Sequence, residues 1–250
     1  MMQALSKTKL KELAAFRQQK VCDQHGLFVT EGEKLADEII RMGVPIHTLC
    51  ATEGWTAPSG NTHLPEQSFV VSDEQLERLS SLRQHNKVWM LIERASVTGQ
   101  YAKPSNEQPI TLVLDRLQDP GNLGTIIRTA DWFGIRHIVC SSDTVSCFNP
   151  KVVQSTMGSL FRVAVDYCDL QQWLSSCGMP VYGAVLDGDD IRKCDKATPA
   201  AVVIGNESKG ISQELQPLLT NRILIPNIGG SCESLNAAVA AGIIISNFTL

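Results

Sequence analysis

Short apolar runs recur along the second half of this 250-residue chain, and most lead through a loop of small or polar residues into a stretch with helical spacing. Ile110–Asp115, His137–Cys140, Arg162–Val165, Val181–Val185, Ala201–Ile204 and Arg222–Ile225 read as strands. Leu123–Phe133, Pro150–Met157, a segment near Leu170–Ser176, Ser212–Leu219 and Leu235–Asn247 read as helices. Strands alternating with helices argue for a mainly parallel sheet covered on both faces. That pattern predicts an α/β domain over residues 108–250 and excludes an all-helical or sandwich fold there.

The first half is a smaller α/β unit. Leu5, Leu10, Leu13 and Phe16 recur near helical spacing, and Gly32–Met42 carries Leu35, Ile39 and Ile40 with Gly43 as its stop. Strands are expected at Gly26–Thr30, Ile46–Ala51, Ser68–Val71 and Val88–Ile92, with a helix at Asp73–Leu79. The polar, Gly/Pro/Ser-containing stretch after residue 95 reads as a linker. The expected division is a domain over 1–96, a linker over 97–107 and a larger domain over 108–250.

Composition narrows the class. Hydrophobic content of 43% and charged content of 19% are ordinary for a globular chain. No apolar run approaches the 18 or so residues of a membrane span, and the N-terminus lacks a signal core, so a cytoplasmic protein is expected. Eight cysteines are scattered without a CxxC pair or Cys/His cluster, which gives a zinc site little support and suggests reduced thiols. A net charge of −4 argues against indiscriminate nucleic-acid binding. Positive charge is nevertheless concentrated locally, at Lys7, Lys9, Lys11, Arg17 and Lys20. Such a run is either a solvated helix face or a grip on a polyanion.

Three loops carry the chemistry. The first is Asp119-Pro-Gly-Asn122-Leu-Gly-Thr-Ile-Ile-Arg128-Thr-Ala-Asp131, where a strand gives way to a helix whose apolar stripe is Leu123, Ile126, Ile127, Ala130 and Phe133. Arg128 falls off that stripe and points toward the ligand crevice usual in open α/β sheets. Its bland alternative is a surface arginine paired with Asp131, with Asn122 as a helix cap. The second loop, Gly205-Asn206-Glu207-Ser-Lys-Gly210, follows an apolar strand; glycines there allow close backbone approach to a ligand. The third runs from Ile225-Pro226 to Ser234-Leu235-Asn236-Ala237 at the head of the last helix, where Ser234 could cap the first amides or line a pocket. The order P-G-N-L-G-T departs from G-x-G-x-x-G, which makes a dinucleotide site a poor second.

In this order and spacing the three loops resemble the motifs of the SpoU (TrmH-like) branch of the SPOUT methyltransferases. The resemblance implies S-adenosylmethionine as cofactor, RNA as partner and transfer of a methyl group to a ribose 2′-hydroxyl, with ribosomal RNA favoured over transfer RNA. It implies Asn122, Arg128, Glu207, Ser234 and Asn236 as catalytic-site residues. It implies a cofactor cradle of Leu186, Gly205, Asn206, Glu207, Ile225, Ser234, Leu235, Asn236 and Ala237. It further implies a deep C-terminal trefoil knot, a homodimer and no metal. The interval from Ile225-Pro226 to Ser234-Leu235-Asn236 is one residue longer than the family's usual spacing. Phe148–Phe161 resembles the family segment between the first two motifs, with Asn149, Lys151 and Ser155 as candidates for facing RNA. Phe28-Val-Thr-Glu31-Gly-Glu-Lys34 resembles part of the L30e-like substrate-binding domain that precedes many SpoU domains, although Val21 stands where those domains carry an arginine. Two alternatives stay open: an RNA-binding assembly factor with an inactive methyltransferase domain, and a base methyltransferase of another SPOUT branch.

Overall fold

A computed structural model describes residues 2–58, 65–82, 86–97 and 109–250. Apart from Val97, the linker expected over 97–107 lies outside the described residues. The chain forms two compact units, Met1–Gln100 with Phe148–Phe161, and Tyr101–Cys147 with Arg162–Leu250. The second half therefore lends one segment to the first unit.

The first unit runs β1 (Gln3–Ala4), α1 (Lys7–Ala14), α2 (Gln19–His25), β2 (Leu27–Glu31), α3 (Glu33–Arg41), β3 (Ile46–Ala51), β4 (Gln67–Val70), α4 (Asp73–Leu79) and β5 (Val88–Glu93). Its sheet has the order β1-β4-β3-β5-β2, with β5 antiparallel to both β3 and β2. Leu10, Leu13 and Phe16 join Leu76 and Leu79 of α4 against Val29, Cys50, Trp89 and Leu91 of the sheet. Ser72 and Gln75 form a capping box that starts α4. Pairing of β3 with β5 passes from Ile46↔Ile92 to Thr48↔Leu91, so His47 is an extra residue on its strand. Glu31 ends β2 buried, accepting from the Ser80 hydroxyl and, at 2.9 Å, from the Ser81 amide. The ring of Phe28 packs on Phe148 and Phe161, with centroids 4.9 and 6.1 Å away.

The remaining elements are β6 (Ile110–Leu114), α5 (Pro120–Trp132), β7 (His137–Ser141), α6 (Pro150–Thr156, in the first unit), β8 (Ala164–Cys168), α7 (Leu170–Ser176), β9 (Val181–Asp190), β10 (Ala200–Ile204), β11 (Asn221–Leu224) and α8 (Ala237–Thr249). The six strands form one parallel sheet in the order β11-β9-β10-β6-β7-β8. β6 and β10 lie at its centre; β10 is buried along its whole length and β6 everywhere but at Thr111. Val113, Val139, Val181, Ala201 and Val203 pack with Leu170 and Leu174 of α7, while α5 and α8 pack against each other.

Three elements differ from the sequence reading. The helix expected at Ser212–Leu219 shrinks to a 3-10 turn at Gln216–Leu218. Pro217 falls inside the expected range, where it brings no amide and its ring crowds the preceding turn. The last helix begins at Ala237 rather than Leu235, because the Asn236 side chain accepts from the amides of Ala238 (2.9 Å) and Val239 (3.2 Å). β9 runs five residues past Val185, through an irregular stretch that shapes the site.

Candidate active site

Parallel strands place their carboxyl ends, and the loops that leave them, on one side of the sheet. β6 ends at Leu114, and the chain turns through Asp115 and Arg116 into α5. Arg116 has a positive φ of 56°, unusual for a residue with a Cβ. This turn is fixed from two sides. The Arg116 amide donates to Ser141 Oγ at the end of β7 (2.8 Å), and the Arg116 carbonyl accepts from Asn206 Nδ2 (2.8 Å). Asp115, almost wholly buried, receives the Ser212 amide. The first and second motifs are thus tied through backbone groups that no local sequence pattern marks.

The second motif is a closed turn. Asn206 and Gly210 exchange both backbone hydrogen bonds (3.1 and 2.9 Å), while Asn206 Oδ1 accepts from the Ser208 and Lys209 amides. A Cβ on Gly205 would stand 2.2 Å from the Gly210 carbonyl carbon, so only glycine fits there. The turn projects Glu207 outward, exposed.

A chain of three side chains crosses the motifs. Asn236 Nδ2 donates to Asn122 Oδ1 at 2.9 Å, and Asn122 Nδ2 donates to Glu207 Oε1 at 2.8 Å. Its polarity is forced at both ends. An ionised carboxylate only accepts, so Asn122 must offer its NH2 to Glu207 and its oxygen to Asn236. Asn236 in turn spends its own oxygen on the α8 amides, which leaves its NH2 for Asn122. The partial positive charge of the α8 N-terminus is therefore relayed through two amides to one exposed carboxylate.

The other sequence-derived residues stand around this trio without a hydrogen bond to it among the described residues. Arg128 is exposed on α5 and has no hydrogen-bond or ion-pair partner among the described residues. The pairing with Asp131 considered for it is taken instead by Arg136 (2.8 Å) and Arg162 (2.7 Å). Ser234 is exposed and does not cap α8; Asn236 does. Ile225 lies half-buried one residue past β11, Leu235 is half-exposed, and Ala237 is the buried first residue of α8.

Leu186 occupies the irregular part of β9. Pairing with β11 jumps from Gly183↔Arg222 to Asp189↔Ile223, so residues 184–188 arch out of the ladder. Leu186 is 73% exposed on that arch. Arg222 Nη2 donates to Asp187 Oδ1 (2.6 Å), which steadies the arch and holds that carboxyl below its usual range. On the 227–233 loop, Asn227 bonds back to Gly230 and Cys232, closing the longer interval into a compact turn. Asn149 caps α6 through the Lys151 amide (2.9 Å), and Ser155 Oγ donates back to the Lys151 carbonyl. Both side chains have local structural work within the first unit.

An open parallel sheet, with a glycine turn and an amide–carboxylate chain at its strand ends, defines an α/β enzyme domain of the ligand-in-crevice class. Residues 109–246 match the model of the SpoU rRNA Methylase family, more than half of the chain, and the protein belongs to that family. Residues 7–89 match the MRM3-like substrate binding domain. The 23S rRNA (guanosine(2553)-2′-O)-methyltransferase RlmP of Bacillus subtilis is 27% identical over 95% of this chain and 94% of its own length. A solved TrmH-family protein from Porphyromonas gingivalis is 35% identical, covers 98% of both chains and superposes with a TM-score of 0.79. The AdoMet-bound rRNA methyltransferase from Sinorhizobium meliloti is 28% identical, with a TM-score of 0.80 over 99% of this chain and 96% of its own.

Proposed function

We propose that the protein transfers a methyl group from S-adenosylmethionine to a ribose 2′-hydroxyl of ribosomal RNA. The observation that carries this reading is the Asn236–Asn122–Glu207 chain at the carboxyl ends of the central strands, with Arg128 exposed on the same helix as Asn122 and without a partner among the described residues. The site suits the donor. Leu186 and Leu235 offer apolar surface for an adenosine, and the turn at Gly205, Asn206 and Glu207 offers backbone groups for its polar edges. Ile225, Ser234, Asn236 and Ala237 complete the cradle. S-adenosylmethionine supplies a methyl group on a sulfonium, already activated toward an oxygen nucleophile.

What remains for the protein is alignment and charge. Arg128, a guanidinium cation, orients the ribose and stabilises the negative charge that develops on its oxygen as the hydroxyl proton passes to a neighbouring RNA phosphate. Asn122 is held by Glu207 and Asn236 in a single orientation, which lowers the entropy lost when the reactants are aligned. Ser234 adds a hydroxyl at the rim. Ribosomal rather than transfer RNA is favoured because the RlmP relative, which acts on 23S rRNA, aligns across both halves of the chain. The first unit is then the RNA-binding part and the second the catalytic part, acting in the cytoplasm where ribosomal RNA is found.

The same reading makes the protein a homodimer through α5 and α8. Trp132 is 86% exposed on α5, and Val239 on α8 is half-exposed, a surface apolar enough to be covered by a second copy.

The test is transfer of labelled methyl from S-adenosylmethionine into ribosomal RNA lacking its modifications, followed by alkaline hydrolysis. A blocked 2′-oxygen cannot attack the adjacent phosphate, so label in alkali-resistant dinucleotides is expected. Label confined to mononucleotides would mean base methylation. Absence of both donor binding and transfer would favour an assembly factor with an inactive domain.

A further inference from the structure

The first unit holds a cavity of about 340 Å³ under α1 and α2, lined by none of the residues of the three motifs. Its floor is apolar: Leu13, Phe16, Leu27 and Leu91. Its mouth is polar and carries Lys9, His25, His47 and Gln67. A space of this size, apolar within and rimmed by a few polar groups, suits one planar aromatic ligand rather than a peptide helix.

Three details show how the pocket is shaped. His47 is the extra residue of the β3 bulge, and bulges re-aim a side chain out of the regular alternation. Its ring is fixed by a 2.9 Å bond between Nδ1 and Thr48 Oγ1. His25 packs its ring against Phe16, with centroids 5.3 Å apart, which extends the aromatic wall toward solvent. Glu12 meets the Lys9 ammonium at 2.7 Å at the same rim, so an incoming phosphate would compete with that carboxylate.

The second cavity of this unit, about 240 Å³, is lined by three carboxylates, Glu31, Glu33 and Glu38, against one lysine, Lys34. That lining repels a polyanion, whereas the first cavity pairs an apolar floor with two imidazoles and a single lysine–carboxylate pair, Lys9 and Glu12, with Glu66 3.9 Å from His47 Nε2.

We infer that the cavity beneath α1 and α2 receives one unstacked nucleotide of the substrate RNA, its base between the Phe16–His25 wall and the sheet and its phosphate toward Lys9. RNA is read largely through unpaired bases splayed onto aromatic and imidazole rings. Gln67 and His47 then meet the edge of the base, which makes the pocket a specificity site carried by the first unit. The inference rests on the RNA-methyltransferase reading for its substrate and deepens it.

The test uses the full chain. Photocrosslinking to a large-subunit ribosomal RNA transcript containing 4-thiouridine, with mass spectrometry of the adducts, is expected to mark peptides spanning Lys9–Leu27 and those holding His47 or Gln67. In steady-state assays His47→Ala and Gln67→Ala are each expected to raise the KM for RNA about tenfold, with affinity for S-adenosylmethionine unaltered. Ala15→Trp, which fills the cavity, is expected to do the same. Crosslinks confined to other segments, with RNA KM within about twofold of the parent for the rim variants, would overturn the inference. So would saturable binding of a free 5′-mononucleotide that leaves the RNA KM untouched, since the pocket would then serve a small molecule. Crosslinks at the pocket in a protein that transfers no methyl group would uphold the pocket while failing the proposed reaction.

Discussion

Glu31 and Glu207 each follow an apolar strand, yet their surroundings are opposite. Glu31 is buried at the end of β2 and receives the Ser80 hydroxyl and the Ser81 amide. Glu207 stands exposed beyond β10 and receives a single side-chain amide, from Asn122. A buried carboxylate must be satisfied by protein, because losing water without replacement costs several kcal/mol. An exposed one held by a single amide keeps acceptor capacity for a ligand. The first arrangement holds a turn together; the second, on the proposed function, holds an amide in position for chemistry. Burial and the number of donors separate the two roles more cleanly than residue type does.

The largest effect expected from breaking this contrast is at Arg128, an exposed cation on the helix that carries Asn122. Arg128→Ala should lower the rate of methyl transfer by about a thousandfold, as loss of a group that stabilises developing charge does. Thermal unfolding and calorimetric affinity for S-adenosylmethionine should stay at the parent values. Near-parent turnover would remove Arg128 from the reaction. Next, Asn122→Asp keeps the acceptor for Asn236 but replaces the donor to Glu207 with a second carboxylate, which breaks the chain at that link, with an expected loss of about a hundredfold in rate. Glu207→Gln keeps an acceptor but removes the charge, so a smaller loss of about tenfold is expected, with stability unchanged.

The other half of the contrast is a matter of stability. Glu31→Ala leaves the Ser80 hydroxyl and the Ser81 amide without their acceptor, and a loss of about 3 kcal/mol in unfolding free energy is expected from denaturant titration. An unchanged midpoint would put Glu31 in the functional class instead. The effect expected at Cys50 is confined to alkaline pH and is absent near neutrality. Burial pushes its thiol up to about 12. The folded state therefore keeps a proton that the unfolded chain releases near pH 8.5. That contribution is intact below this value and is lost as pH rises toward 12. A Cys50→Ala variant should show a shallower decline of stability over that interval.

Much of the second unit was legible because its strands are apolar and its helices periodic. The run Ala200–Ile204 is buried along its full length, and burial on both faces leaves little choice of element. Asn122, Glu207 and Asn236 were singled out from the sequence, and the structure joins them. Ser234 was given two roles, and it does not take the capping one. Serine and asparagine cap helices about equally well, so position alone could not choose between Ser234 and Asn236. The helix expected at Ser212–Leu219 does not form because Pro217 falls inside it, a breaker that apolar spacing alone does not register. The pocket under α1 and α2 left almost no trace, since Lys9, His25, His47 and Gln67 share no spacing.

The sequence by itself determined the α/β alternation, the three loops and the residue types that a sulfonium donor and a ribose would need. Those are local properties, set by side-chain periodicity and by glycine at a turn that admits nothing larger. Only the tertiary structure decided which of those side chains meet. Asn122 reaches Glu207 across 85 residues and Asn236 across 114. Its orientation follows from a carboxylate that can only accept and a helix start that takes the oxygen of Asn236. Hydrogen-bond partnership depends on distance and direction in space, and those exist only once the sheet has brought its strand ends together.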